Sequence, residues 1–163
     1  METSAHHLAQ FNVGRTVAPM DAAELADFRD GLAPINALAD AAPGFVWRMV
    51  GEDPDHATDV RIPGEDLILN MSVWESRAAL WDFVYRTAHL DYLRRRREWF
   101  QRLLEPIAVL WWVPAGTVPD LRDAKRRLDL LRTEGPGPEA FTFRDFYEPP
   151  APDGQAEPVK AGR

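Results

Sequence analysis

The sequence has no cysteine. Disulfides, thiolate metal sites and cysteine nucleophiles are therefore excluded together. Long apolar runs are missing too: the longest, such as Ile107 to Val113, fall well short of the roughly 20 residues a membrane helix requires. Positive charge is in deficit, with 19 Lys and Arg against 26 Asp and Glu and a net charge of −7. Nucleic-acid binders normally carry a basic face, so that class is disfavoured. Met1 to His7 contain no basic stretch followed by an apolar one, which predicts no secretory signal and a soluble, cytoplasmic protein. Glycine loops that cradle phosphate, the Gly-x-Ser-x-Gly elbow and the His-Glu-x-x-His metal motif are all absent. Asp53, Asp55, His56 and Asp59 cluster in one polar stretch, but their spacing matches no metal-ligand pattern.

What remains is an ordinary globular composition: 163 residues, 45% of them hydrophobic. One domain of this size buries roughly two thirds of its unfolded surface and holds a core without staples. His7 to Val13 alternates as a strand, with His7, Ala9, Phe11 and Val13 on one face and Leu8, Gln10 and Asn12 on the other. Asp21 and Glu24 have capping-box spacing before a helix carrying Leu25, Phe28, Leu32, Ile35 and Leu38. Pro34 predicts a kink or break in it. Phe45 to Val50 reads as a second strand, 51–66 as a polar loop and Leu67 to Trp74 as a third strand. Ser76 caps a second helix, and helical spacing resumes from Ala88 to Leu104 until Pro106 stops it. Ile107 to Val113 is the fourth strand. A last helix spans Asp120 to Thr133, with Leu121, Ala124, Leu128 and Leu131 as its stripe, and Gly135-Pro136-Gly137-Pro138 ends it. Phe141, Phe143 and Phe146 belong to an extended coda that packs down.

This order predicts an α+β fold: a ferredoxin-like split βαβ with an antiparallel four-stranded sheet, two helices on one face and an extra C-terminal helix. The domain is expected over 7–147, between a flexible N-terminus (1–6) and a disordered tail rich in Pro, Ala and Gly (148–163). Bulky apolar residues on the other sheet face need a cover. A second copy of the chain is the simplest one, which predicts a homodimer with Trp111 and Trp112 near the contact.

Several residues have the chemistry for a site. His89 is the leading candidate, because imidazole takes and returns a proton near neutrality. Tyr85, four residues earlier, shares its face if the helix is unbroken, and Arg86 lies beside it. The structural alternative is a histidine that closes a helix junction by bonding to backbone. Asn12 and Asn70 are polar residues inside strands, each sharing a face with a second polar residue (Gln10 and Ser72). They suggest a wet or ligand-lined patch; simple edge exposure is the other reading. Among six tryptophans, Trp47, Trp81 and Trp111 are candidates to wall a site for a flat ligand, although such residues also serve as core. Trp111 and Trp112 must point to opposite faces. Arg94-Arg95-Arg96-Arg97 reads either as a solvated helix face balanced by Asp91, Glu98 and Glu105, or as an anion site.

Five stretches carry a family resemblance: His7 to Asn12, Pro43 to Arg48, Ser72 to Ser76, Phe83 through Phe100, and Trp111 to Gly116. Together, over about residues 7–144, they resemble an uncharacterised bacterial family of the dimeric α/β-barrel superfamily, related to antibiotic-biosynthesis monooxygenases. The resemblance implies a dimeric α/β barrel and a small-molecule ligand. It also implies an enzyme on an aromatic or polyketide-like substrate, possible without a cofactor, with His89 as base and Asn12 and Asn70 as donors to an oxyanion. Cyclisation, isomerisation or elimination would need only the same proton transfer. The haem-degrading relatives imply an alternative, in which Asn12, Trp81 and His89 would form a haem site. A non-catalytic ligand-binding dimer is the third.

Overall fold

A computed structural model describes residues 5–151. The expectations for residues 1–4 and for 152–163 of the tail lie outside the described residues. Four strands, β1 (His6–Gly14), β2 (Phe45–Arg48), β3 (Ile68–Trp74) and β4 (Ala108–Pro114), form one antiparallel sheet in the order β2-β3-β1-β4. Helices α1 (Ala26–Asp40) and α2 (Arg77–Arg86) follow β1 and β3, which completes the split βαβ pattern. Among the described residues no helix is long and apolar enough to cross a membrane.

Side-chain alternation on β1 divides the sheet into two faces. Ala9, Phe11 and Val13 join Leu69, Met71 and Val73 of β3 and Val109, Trp111 and Val113 of β4 in one core. The last helix, α5 (Leu121–Glu134), lays Ala124, Leu128 and Leu131 onto that core. Asp120 caps it by accepting from the Asp123 N–H at 2.7 Å. Burying each leucine stabilises by roughly 1.5–3 kcal/mol. Helices thus cover both faces, and the sheet face assigned to a second subunit is buried within one chain. The expected homodimer loses the surface it rested on. The reason is tertiary: the stripe on α5 was legible, but not the face on which it would fold back.

Several local expectations are corrected. Asp21 and Glu24 form no capping box. The chain first makes a 3₁₀ turn (Ala23–Leu25), and neither turn nor α1 receives a side-chain cap. Arg29 instead donates to the carbonyls of Met20 and Ala22. Pro34 sits inside an unbroken α1. The bond it cannot make would run to the Asp30 carbonyl, and both residues face solvent, where water can satisfy that group. Ala88 to Leu104 is not one helix but two short ones, α3 (His89–Arg94) and α4 (Arg96–Trp99), so the helix ends well before Pro106. Beyond Trp99 the chain pairs with the segment after β1: Val17 N–H donates to Trp99 O and Gln101 N–H to Arg15 O, at 2.9 and 2.8 Å. The coda packs down as expected, with Phe141 and Phe146 buried and Phe141 bridged to Leu110.

Candidate active site

The second sheet face does not close onto its helices. A cavity of about 450 Å³ lies between it and α1, α2, α3 and α4, with the 49–67 loop at one side. Most of its lining is apolar, including Leu32, Ile35, Leu80, Phe83 and Leu93, which suits an organic ligand of moderate size.

Its floor is polar. Register places Asn12 opposite Asn70 and Gln10 opposite Ser72, so four polar side chains form a square on the two central strands. Gln10 Nε2 donates to Asn70 Oδ1 (2.6 Å) and Ser72 Oγ (2.9 Å), while Asn12 Nδ2 donates to Gln10 Oε1 (2.9 Å) and Asn70 Oδ1 (3.3 Å). Trp74 Nε1 adds a bond to Ser72 Oγ at 2.9 Å. These bonds use both amide hydrogens of Gln10 and of Asn12. Among the described residues, Asn70 Nδ2 has no partner and stays available to a ligand.

His89 stands across from this floor. Thr87 ends α2 by donating its hydroxyl to Phe83 O (2.6 Å) and accepts the His89 N–H (3.2 Å), which starts α3. The His89 ring places Nδ1 at 3.2 Å from Val84 O. A carbonyl only accepts, so Nδ1 carries the hydrogen and Nε2 holds the lone pair. Burial pushes the imidazole pKa below its ordinary value, and the Val84 bond offsets this only in part. The ring is therefore neutral at pH 7. It makes the backbone bond that the junction reading expected and, in the same tautomer, leaves Nε2 as a base.

The aromatic walls are fixed by stacking. Trp74 lies on Phe83 with centroids 5.1 Å apart and meets Phe45 edge-on at 5.4 Å. Trp99 packs between Phe28 and Tyr92, at 5.4 and 5.3 Å. Tyr92 can cross α1 because residue 31 is glycine: a Cβ there would overlap the Tyr92 ring and hydroxyl.

A family model described as "Domain of unknown function (DUF3291)" matches residues 7–157. This chain belongs to the DUF3291 family. Among curated proteins, none matches it. Solved structures similar to this DUF3291 chain include PA3566 from Pseudomonas aeruginosa, with 16% identity over 72% of this chain and 100% of that one, at a TM-score of 0.46. Another is NE2512, a protein of unknown function from Nitrosomonas europaea, with 15% identity over 71% and 97% of the two chains and a TM-score of 0.43. A third is SnoaB, a cofactor-independent oxygenase from Streptomyces nogalater, with 16% identity over 72% and 100% and a TM-score of 0.42.

Of the residues singled out in the sequence, His89, Asn12, Tyr85 and Asn70 line the DUF3291 cavity; Trp47, Trp81, Trp111 and Arg86 do not. Trp111 belongs to the α5 core on the opposite sheet face. Trp47 joins the same core because a bulge between Phe45 and Trp47 breaks the strand's alternation. Arg48 takes the cavity-facing place instead, held by Asp40 at 2.7 Å. Trp81 is partly exposed on α2, tilted against Tyr85 and edge-on to Phe143. Arg86 is exposed and pairs with Asp82 at 3.5 Å. Tyr85 and His89 lie on different helices rather than on one face. Trp74 and Trp99, two of the six tryptophans able to wall a site, and Arg96 of the arginine run do line it, whereas the sequence reading missed Tyr92. Gly31, inside a helical stripe, was the available signal for the close approach of Tyr92. In the acidic loop the side chains serve the chain itself: Asp53 Oδ1 accepts from Asp55 N–H (2.8 Å) and Asp59 Oδ2 from Glu52 N–H (2.9 Å).

Proposed function

We propose that this chain is a small-molecule enzyme that removes a proton from an aromatic or polyketide-like substrate, with His89 Nε2 as the base. One observation carries the reading: the His89 ring lines the cavity with Nδ1 committed to Val84 O, which directs the basic nitrogen away from the backbone. An activated phenol or ketone would lie between Trp74 and Trp99, lose its proton to Nε2, and leave an oxyanion near Asn70 Nδ2. Donors already held in place are the efficient way to stabilise such a charge. Dioxygen as co-substrate would make this a cofactor-independent monooxygenase, in line with the resemblance. Without it, the same groups serve a cyclisation or isomerisation.

The test is turnover of a panel of activated phenols, anthrones and 1,3-diketones, with and without oxygen. His89→Ala is expected to abolish turnover and leave the fold intact; full activity with a large loss of stability would reduce His89 to a junction residue. Binding without turnover across the panel would favour the non-catalytic reading. The haem alternative is weakened by position, since Trp81 lies off the cavity that His89 lines. Self-pairing stays a proposal for light scattering to decide, and its contact would lie away from the buried Trp111.

A further inference from the structure

The cavity's charge does not match the chain's. In a protein of net charge −7, no aspartate or glutamate among the described residues lines the cavity, whereas Arg48, Arg96, His56 and His89 do. Three of these four are already committed. Arg48 is tied to Asp40 and to the carbonyls of Pro54 and Asp55. His56 binds Thr58 and lies 3.4 Å from Asp53. His89 is bonded to Val84.

Arg96 is different. In the arginine run, Arg94 reaches Asp91 at 3.9 Å and Arg95 holds both Glu98 and Asp27 at 2.8 Å. Arg97, which has no carboxylate partner among the described residues, is exposed to solvent and lies off the cavity. Glu105, assigned to this run from the sequence, instead pairs with Arg132 at 3.6 Å. The Arg96 guanidinium has no ion pair or hydrogen bond among the described residues, although its backbone carbonyl accepts from the Phe100 N–H at 2.9 Å. Its guanidinium lies over the Phe100 ring, 5.2 Å from the centroid. A ring face is a poor substitute for an acceptor oxygen, so the N–H donors of the fork stay without an acceptor among the described residues. An arginine remains charged at pH 7 wherever it is placed. Burial lowers its pKa with nothing to oppose the shift, the mark of a cation removed from water without a counter-charge.

We propose that Arg96 is the anion-binding residue of this cavity and that the ligand is an aromatic carboxylic acid, its carboxylate on the Arg96 fork and its ring system against Trp74 and Trp99. This rests on the cavity being the small-molecule site proposed above, and it names the ligand's class. One planar fork fits one carboxylate in a bidentate pair. A phosphate dianion would call for further charge or a nest of backbone N–H groups, and the cavity's remaining lining is mostly apolar.

The probes are matched acids and amides of the same shape: 2-naphthoate with 2-naphthamide, and indole-3-acetate with indole-3-acetamide, titrated calorimetrically into the full chain. Each acid is expected to bind about tenfold or more tighter than its amide. Arg96→Gln should close that gap, weakening each acid about tenfold more than its amide. Arg94→Gln, which removes an exposed paired arginine, should keep it. Arg96→Met is the second variant, because an unbranched apolar chain still packs on Phe100. Equal affinity for acid and amide in the unaltered chain overturns the proposal and spares the cavity reading. So does a full gap in a folded Arg96 variant, or tighter binding of 2-naphthyl phosphate than of 2-naphthoate. Failure of every probe to bind at millimolar concentration removes the cavity reading and this proposal together.

Discussion

The His89 ring reaches back five residues, so that its Nδ1–H meets the Val84 carbonyl at 3.2 Å across the break between α2 and α3. One contact therefore closes a helix junction and fixes the tautomer of the proposed base.

That contact predicts a pH dependence of stability. Burial holds the folded pKa of His89 below its unfolded value of 6.5. Above about pH 6.5 the imidazole is neutral in both states and costs nothing. As the pH falls below that, the unfolded chain takes a proton that the folded chain refuses, and stability declines until the lowered folded pKa is passed. Urea unfolding of the unaltered chain and of His89→Gln should give curves that run parallel above pH 7 and converge or cross toward pH 5. The other histidines titrate in both proteins and cancel in the difference. A constant difference over this range would count against a buried neutral imidazole.

Gly31 and Tyr92 predict a coupled pair. Alanine in a helix interior is favoured over glycine by about 1 kcal/mol. At position 31, however, the added methyl would occupy space held by Tyr92, whose hydroxyl donates to Asp27 O at 3.3 Å. Gly31→Ala is therefore expected to destabilise, by about 1–3 kcal/mol as overpacking does. In a Tyr92→Ala background the same change should become stabilising. Equal effects in both backgrounds, measured by denaturant unfolding, would rule Tyr92 out as the obstacle.

Leu128 tests the cover on the other sheet face. It is fully buried between α5 and the sheet. Leu128→Ala should cost about 2–5 kcal/mol, as truncation inside a single-chain core does. A cost below 1 kcal/mol together with a doubled mass by light scattering would place α5 off the sheet and return that face to a partner.

The polar floor was legible because strand alternation is strict: Gln10 with Asn12, and Asn70 with Ser72, share faces by period alone. The partition of the tryptophans was legible only where that period holds. Trp111 and Trp112 separate as expected, whereas Trp47 is displaced by a one-residue bulge that no local signal announces. The arginine run could not be resolved from sequence, because its members differ only in where the break at Arg95 turns them. Of its two readings, solvated face or anion site, the second fits the position of Arg96 on the cavity, while Arg86, expected beside His89, is a solvated neighbour of Asp82 at the end of α2. Tyr85 and His89 kept their shared cavity but not their shared helix, since the Thr87 hydroxyl captures the Phe83 carbonyl and ends α2 between them.

The two asparagines of the floor should separate by mutation, although their strand positions are equivalent. Asn12 spends both amide hydrogens inside the square, on Gln10 Oε1 and Asn70 Oδ1. Asn12→Asp removes both donors and sets a carboxylate against two oxygens, so its main effect should be lost stability, about 1–3 kcal/mol for polar groups left without partners. Asn70 instead accepts inside the square through Oδ1 and keeps Nδ2 for the ligand. Asn70→Asp preserves the acceptor and replaces the free donor with an oxygen. Its melting temperature should change little, while kcat with a substrate that passes through an oxyanion should fall about 10²–10³-fold, the usual cost of one such donor. The assay is steady-state turnover of each variant beside its unfolding curve. If Asn70→Asp retains full kcat, Asn70 supplies no oxyanion donor; if Asn12→Asp is as stable as the unaltered chain, the square does not hold the floor together.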